Sequence, residues 1–254
     1  MNQAHAAAAT RSVTMVRTVI IVATLAAWEA LALSGLLFRD VVPSLQAICS
    51  AVFRLLTAAD FYFNLGVTAA EIGVALIIGG AGGLAVGILL GANRFLSRAY
   101  ESLVYYLGPT PKIIFFPVMI MWFGVGSGSK IAMGAISCFF PIAISAASGM
   151  RQIDRVLIRV GLSFRASTWQ MATKIYLPAM RGPLVNGVRL GLGVAIIGTL
   201  LAQTKLSNRG LGYLIIQAYS TFDMPRMYAL IIVLFMLAVA ANALIGRLAR
   251  SRNS

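Results

Sequence analysis

The sequence predicts an all-α polytopic membrane protein with about six transmembrane helices. Of its 254 residues, 59% are hydrophobic and only 11% are charged, whereas soluble domains carry about 25% charged residues. A transmembrane helix needs about 20 predominantly apolar residues. Runs of this kind cover residues 18–37, 67–92, 99–124, 131–150, 184–203 and 228–248.

The apolar runs form one transmembrane domain, which we place at residues 17–250 after a cytoplasmic tail at residues 1–16. The first run lacks a convincing cleavage site and is long enough to span, so we predict an uncleaved first helix. The third run is interrupted by Gly108-Pro109-Thr110-Pro111. Because proline removes a backbone donor and clashes with the preceding turn, this span is expected to be broken.

Positive charge predicts a cytoplasmic N-terminus. The net charge is +14, and Lys and Arg concentrate in cytoplasmic loops. This orientation places Arg94, Arg98, the loop at residues 151–183 and the basic C-terminal segment inside. The basic residues left outside are Arg39, Arg54, Lys130, Lys205, Arg209 and Arg226. Because no basic stripe is interleaved with aromatic residues, no nucleic-acid partner is expected.

Two outer segments are too polar to span but predict short helices. Residues 38–66 favour an amphipathic helix at the outer interface, with an aromatic belt at residues 61–63. A second short helix is expected after Gly210. Within the second span, Gly79, Gly83, Gly87 and Gly91 recur every four residues, a spacing that lets membrane helices pack closely.

The loop at residues 151–183 is strongly basic, with six Lys or Arg and one acidic residue. Its apolar pattern predicts a short helix from Val160 to Met171. Pro178 then stops helical continuation, because its ring removes a backbone donor. We therefore expect a rigid cytoplasmic projection between two membrane helices, which fits a groove on a soluble partner.

The end of this loop, with Ile175, Leu177 and Pro178, resembles the "EAA" cytoplasmic loop of binding-protein-dependent ABC importer permeases. In the alignment on Leu177-Pro178, the Glu-Ala-Ala positions fall on Arg159, Val160 and Gly161, and the family's glycine falls on Arg165. The resemblance implies that the following residues contact an ABC ATPase: Arg159, Val160, Gly161, Ser163, Arg165, Ala166, Ser167, Leu177 and Pro178. The arginines at the Glu and Gly positions predict a partner with an acidic groove.

Further segments resemble the nitrate/sulfonate/taurine-type branch of these permeases, in order and in register. They are residues 41–45, 111–124, 129–133, 139–142 and 151–154, while Glu71 stands where the family often has Arg. The resemblance implies a permease subunit in the cytoplasmic (inner) membrane of a bacterium, as a homodimer, with an extracytoplasmic solute-binding protein as a further partner. The chain lacks G-x-x-x-x-G-K-[ST], so ATP and magnesium are expected on the partner ATPase and no cofactor on this chain.

Polar groups inside the bilayer are costly and are therefore candidates for the substrate pathway. Lys112 lies in the third span between Pro111 and Pro117. A buried cation there favours an anionic solute such as a sulfonate, nitrate or carboxylate. The alternative is that Lys112 snorkels to the interface or pairs with Glu101 or Glu71.

Three more residues are candidates for the pathway or its frame. Glu71 is expected to pair with Arg189 or Lys112, whereas Gln203 and Thr204 are expected at the gate, at the outer end of the fifth span. No catalytic group is predicted, and the two cysteines, Cys49 and Cys138, make no metal-binding spacing.

Two other classes of protein remain as alternatives. A secondary transporter or channel would not depend on an ATPase, but such proteins usually contain duplicated halves with matching broken helices. This chain has no second copy of the break at residues 109–117. A membrane enzyme would need a metal cluster, a Ser/His pair or a carboxylate pair at suitable spacing, and none occurs in the sequence.

Overall fold

The computed structural model describes residues 2–35 and 41–251, with side chains over residues 13–35 and 41–247. Its helices are α1 (Asn2–Ser34), α2 (Leu45–Thr57), α3 (Ala59–Ala92), α4 (Arg94–Leu107), α5 (Phe116–Phe123), α6 (Ser127–Arg151), α7 (Arg155–Ser163), α8 (Thr168–Gln170), α9 (Leu177–Ala179), α10 (Arg181–Lys205), α11 (Leu211–Ser220) and α12 (Met224–Ser251). A 3₁₀ turn, Lys112–Phe115, precedes α5, and a π-helical turn, Met171–Tyr176, joins α8 to α9.

Within the described residues, five helices are long and apolar enough to cross a membrane, and α4 with α5 adds a sixth if that bent pair is one span. This confirms the predicted fold class. The second predicted span is longer than expected, because α3 begins at Ala59 and includes the aromatic residues 61–63 in its first turns. The predicted end of the first span at Leu37, and Arg39 beyond it, lie outside the described residues.

The chain divides into two compact units. The first comprises residues 1–58 and 215–233, and the second comprises residues 59–214 and 234–254. In the first unit, the Glu29 carboxylate accepts a hydrogen bond from the backbone N–H of Leu45 at 2.8 Å. Ser44 caps the same end of α2 by accepting from the N–H of Ala47. Both contacts satisfy orphan donors at a helix start, so Glu29 holds the short outer-segment helix in place.

In the second unit, the glycines of α3 face the backbone of α6. The Cβ of an alanine at these positions would overlap a carbonyl oxygen of α6 in every case: Gly79 faces Ala135, Gly83 faces Phe139, Gly87 faces Ala143, and Gly91 faces Ala147. Each step is four residues on both helices, which is the close contact that the sequence predicts. The absence of side chains therefore lets the two backbones approach and gain dispersion contacts without a hydrophobic driving force.

Helix α6 also packs closely against α10. Cβ atoms at Gly187 and Gly191 would overlap Ser145 and Ile142. The α3–α6 and α6–α10 contacts are the most extensive helix contacts in the second unit. Helix α6 is therefore the central helix of the second unit, packed between α3 and α10.

Candidate functional site

The broken third span contacts α6 at several places, from near the end of α6 to near its start. Glu101 on α4 pairs with Arg151 at the end of α6, with 2.7 Å between Oε2 and Nη1. Further along, Lys112 lies over the ring of Phe140, and residues of α5 pack on Met133 near the start of α6. Between α4 and α5 the axis bends by 91°. The interruption predicted at Gly108 to Pro111 is therefore present.

A cavity lies at the break, where prolines interrupt helical hydrogen bonding in both α6 and the third span. Pro141 lies inside α6 and lacks an N–H, so the carbonyl of Ser137 loses its helical partner. Opposite, residues 108–111 form a non-helical connection. The cavity between them has a volume of about 610 Å³ and is lined by α10 on its third side, including Val194, Ile197 and Leu201.

Lys112 is the charged residue in the wall of this cavity. Its ammonium group donates to the carbonyl oxygens of Gly108 and of Thr110, the latter at 3.1 Å, and lies 5.1 Å from the centroid of the Phe140 ring. An ammonium group has three donors, so one N–H remains for a ligand. The carbonyl dipoles and the ring stabilise the positive charge without neutralising it.

The two carboxylates considered as partners for Lys112 are bonded elsewhere. Glu101 accepts from Arg151 at 2.7 Å, and Glu71 accepts from the side-chain amide of Gln203 at 2.7 Å. The expected pairing of Glu71 with Arg189 is not formed either, since the Arg189 guanidinium donates to Asn242. The expected ion pairs are therefore wrong, and Lys112 faces the cavity held by neutral groups.

Glu71 and Gln203 belong to a buried network at the start of α11. Both side chains are almost fully buried. Three successive backbone N–H groups donate to side chains of α3 and α10: Gly210 to Asn64 at 2.7 Å, Leu211 to Thr68 at 2.8 Å, and Gly212 to Gln203 at 2.9 Å. The first N–H groups of a helix lack partners within the helix. Here side chains of the two neighbouring helices, α3 and α10, accept these hydrogen bonds. Thr204, the other residue predicted at the gate, donates its hydroxyl to the carbonyl of Leu201.

The glycines around Leu211 are required by this arrangement. Gly210 has φ +98°, a region that disfavours every residue with a Cβ. Cβ atoms at Gly210 and Gly212 would both overlap the side chain of Gln203. The short helix predicted after Gly210 is confirmed, and its Gly-Leu-Gly start allows Gln203 to reach the backbone.

Lys130, which the charge pattern places on the outer side, lies in the first turn of α6 and is 0% exposed. Its ammonium group donates to the carbonyl of Val125, and the Glu71 carboxylate lies near enough for an electrostatic attraction. Its position at the edge of an apolar run gave no sign of this burial.

The predicted single helix from Val160 to Met171 is wrong. Helix α7 ends at Ser163, and Arg165 has φ +48°. The N–H of Arg165 donates to the carbonyl of Leu162 and the N–H of Ala166 to that of Gly161. These two bonds form a Schellman motif, in which the residue at the Arg165 position is usually glycine. The resemblance assigns a glycine to this very position.

After the turn, the loop folds back on α7. Ser167 caps α8 in a capping box with Gln170. Gly161 is buried, and a Cβ there would overlap Ile175 and Met171 of the π-helical turn. Of the residues assigned to ATPase contact, Arg159, Val160, Ser163, Arg165 and Ser167 are exposed, whereas Ala166, Leu177 and Pro178 are half-buried. The apolar side chains of Phe164 and Trp169 are 83% and 77% exposed beside them.

We expect that Arg165→Gly stabilises this loop by about 0.5–1 kcal/mol, because it removes the cost of a left-handed conformation at a residue with a Cβ. Hydrogen exchange over residues 155–176 should slow in the variant. Arg165→Ala is the matched control, since it removes the charge but keeps the Cβ, and its exchange should not slow. Equal slowing in both variants would contradict the conformational explanation.

Comparison with known proteins assigns the family. The profile of the family described as "Binding-protein-dependent transport system inner membrane component" matches residues 83–254. The chain belongs to this family of multi-pass permease subunits of ABC importers, whose ATPase is a separate subunit. It is similar to the putative aliphatic sulfonates transport permease of Bacillus subtilis, with 26% identity over 89% of this chain and 82% of the relative.

Two further comparisons give another relative and a similar fold. The taurine transport system permease of Escherichia coli is 30% identical over 62% of this chain and 57% of its own length. The fold is similar to that of one chain in a structure of the MetNI methionine ABC transporter in an inward-facing conformation. That comparison has a TM-score of 0.61 and 20% identity, and it covers 82% of this chain and 96% of the other.

Proposed function

We propose that this permease passes a small anionic solute inward through the cavity at the broken third span, driven by ATP hydrolysis on a partner subunit. The observation that carries the proposal is Lys112, whose ammonium group lines the cavity and is bonded to carbonyl oxygens rather than to a carboxylate. Such a cation inside a membrane protein costs about 2.5–3.5 kcal/mol by insertion scales. A passing anion offsets that cost.

The remaining wall of the cavity supports a solute with an apolar part. Side chains such as Met133, Ile144, Ile197 and Leu201 line it. Binding sites commonly combine an apolar lining with a few polar groups that fix the ligand. An aliphatic sulfonate or carboxylate matches this lining better than nitrate, and two relatives are named for aliphatic sulfonates.

In the proposed assembly, the N-terminus and the loop at residues 151–183 are cytoplasmic. The exposed arginines and aromatic side chains of the loop then meet a groove on the ABC ATPase, which binds ATP and magnesium. An extracytoplasmic binding protein delivers the solute to the opposite face. A second copy of this chain completes the pathway, since twofold symmetry is the commonest arrangement of oligomers.

Ser163→Trp tests the coupling. In proteoliposomes with the ATPase and the binding protein, it should reduce uptake and permease-dependent ATP hydrolysis about tenfold or more, because a bulky indole at the docking surface leaves interface groups unpaired. Ser220→Trp is the matched control: both serines are exposed, and each hydroxyl donates to the carbonyl four residues earlier. Unchanged coupling in Ser163→Trp would place the ATPase contact elsewhere. Uptake that proceeds without any ATPase would favour a secondary transporter.

A further inference from the structure

Arg189 is an exposed cation inside a candidate span. It lies on α10, about 12 Å along the helix axis from Arg181 at the start. It does not line the Lys112 cavity and is turned toward α12, where its Nε donates to the side-chain oxygen of Asn242 at 2.8 Å. Among the described residues, Arg189 forms no ion pair. Because a charge at such a depth in a membrane is costly, a compensating group is expected there.

The guanidinium of Arg189 extends from Asn242 toward Gly246, one turn further along α12. A Cβ at Gly246 would have its nearest neighbours at 3.8 Å, in Cζ and Nη1 of Arg189. In the proposed orientation, this direction leads to the cytoplasmic surface, where a long basic side chain reaches the lipid headgroups. A guanidinium has five donors, so four N–H groups remain after the bond to Asn242. The absence of a side chain at Gly246 leaves space for a ligand beside them.

An apolar groove begins on the other side of the Arg189–Asn242 pair, toward the membrane centre. It has a volume of about 360 Å³ and lies between α3, α10 and α12. On α10, Leu192 and Ile196 line it one and two turns after Arg189. On α12, Ala238 lines it one turn before Asn242. The cation and the groove are therefore neighbours on both helices.

We infer that Arg189 and this groove form a binding site for one anionic phospholipid of the inner leaflet. The order of the groups is that of a phospholipid: the cation lies toward the surface and the apolar groove toward the membrane centre. Guanidinium groups bind phosphate oxygens through two parallel hydrogen bonds. Basic pockets between transmembrane helices on the cytoplasmic side bind anionic lipid headgroups. The groove selects a lipid over free phosphate, because inorganic phosphate has no apolar part to bury in it.

The test measures phosphatidylglycerol binding to the purified complex of the permease with its ATPase, by native mass spectrometry in detergent. Arg189→Gln should weaken binding of the first lipid molecule about tenfold, equivalent to about 1.4 kcal/mol. Arg189→Lys should weaken it less, because it keeps the charge without the fork. Arg181→Gln is the matched control, since both arginines are exposed on α10, and it should bind the lipid normally. Equal weakening by both changes would indicate a general attraction between charges and overturn the site.

A second variant tests the groove and leaves the charge in place. Ala238→Trp fills the space with an indole and should also weaken phosphatidylglycerol binding, whereas Ala240→Trp, at an exposed alanine of α12 outside the groove, should not. An excess of inorganic phosphate should not displace the lipid. Displacement by phosphate, or normal lipid binding by Ala238→Trp, would assign Arg189 to a free anion and overturn the lipid site.

The same spectra report the number of permease copies. If Arg189→Gln keeps normal lipid binding but dissociates a permease dimer, the occupant of this face is a second copy and the lipid site is overturned. Because the measured quantity is lipid binding rather than solute uptake, either negative result leaves the proposed anion pathway at Lys112 standing.

Discussion

Lys112→Met is expected to reduce uptake of an anionic solute by about 10- to 100-fold while leaving assembly intact. Hydrogen bonds to charged groups contribute about 1.5–3 kcal/mol, and each 1.4 kcal/mol corresponds to about a factor of ten. The change removes the ammonium group from the cavity wall and keeps a side chain of similar length. Because Lys112 bonds to carbonyls rather than to a carboxylate, its loss leaves no buried acid without a partner.

The measurement is uptake of ethanesulfonate into proteoliposomes, with complex formation checked by size-exclusion chromatography. Lys112→Arg should retain part of the activity, since it keeps the charge. Lys205→Met is the matched control, because Lys205 is an exposed lysine at the end of α10 and does not line the cavity. If Lys112→Met transports at the normal rate, the residue-level reason for an anionic solute disappears.

Gly79→Ala is expected to destabilise the second unit by about 1–3 kcal/mol, the usual cost of overpacking a close contact. The new Cβ would overlap the carbonyl oxygen of Ala135 and the sulfur of Cys138. A backbone oxygen cannot turn aside as a flexible side chain does, so α3 and α6 must separate.

The control lies on the same helix. A Cβ at Gly73 has no neighbour within 4 Å, so Gly73→Ala should be neutral or slightly stabilising through helix propensity. Thermal unfolding in detergent should give a midpoint about 5–10 °C lower for Gly79→Ala than for Gly73→Ala. Equal midpoints would show that the two helices tolerate a wider spacing than the structure gives them.

Local patterns in the sequence predicted the spans and the break between them. Apolar runs gave the helices, because length and hydropathy alone decide whether a segment can cross a bilayer. The four-residue glycine spacing predicted the close contact of α3 with another helix, and the prolines near Lys112 predicted the bend. Each of these features is a property of one segment of the chain.

Features that depend on distant residues were missed. The partner of Glu71 is Gln203, 132 residues away, and Lys130 is fully buried with the Glu71 carboxylate of α3 near enough to attract it. The end of α7 was missed for another reason: Arg165 adopts a conformation that sequence rules assign to glycine. Here the tertiary contacts of Gly161 with the π-helical turn outweigh the local preference.

The three side chains that cap the start of α11 also restrict how the permease can move. Asn64 and Thr68 belong to α3, and Gln203 belongs to α10. Sliding α3 past α10 would strip partners from buried N–H groups, at about 1–3 kcal/mol for each. In the proposed transport cycle, α3, α10 and the first turn of α11 are therefore expected to move as one rigid body, with the hinge outside them.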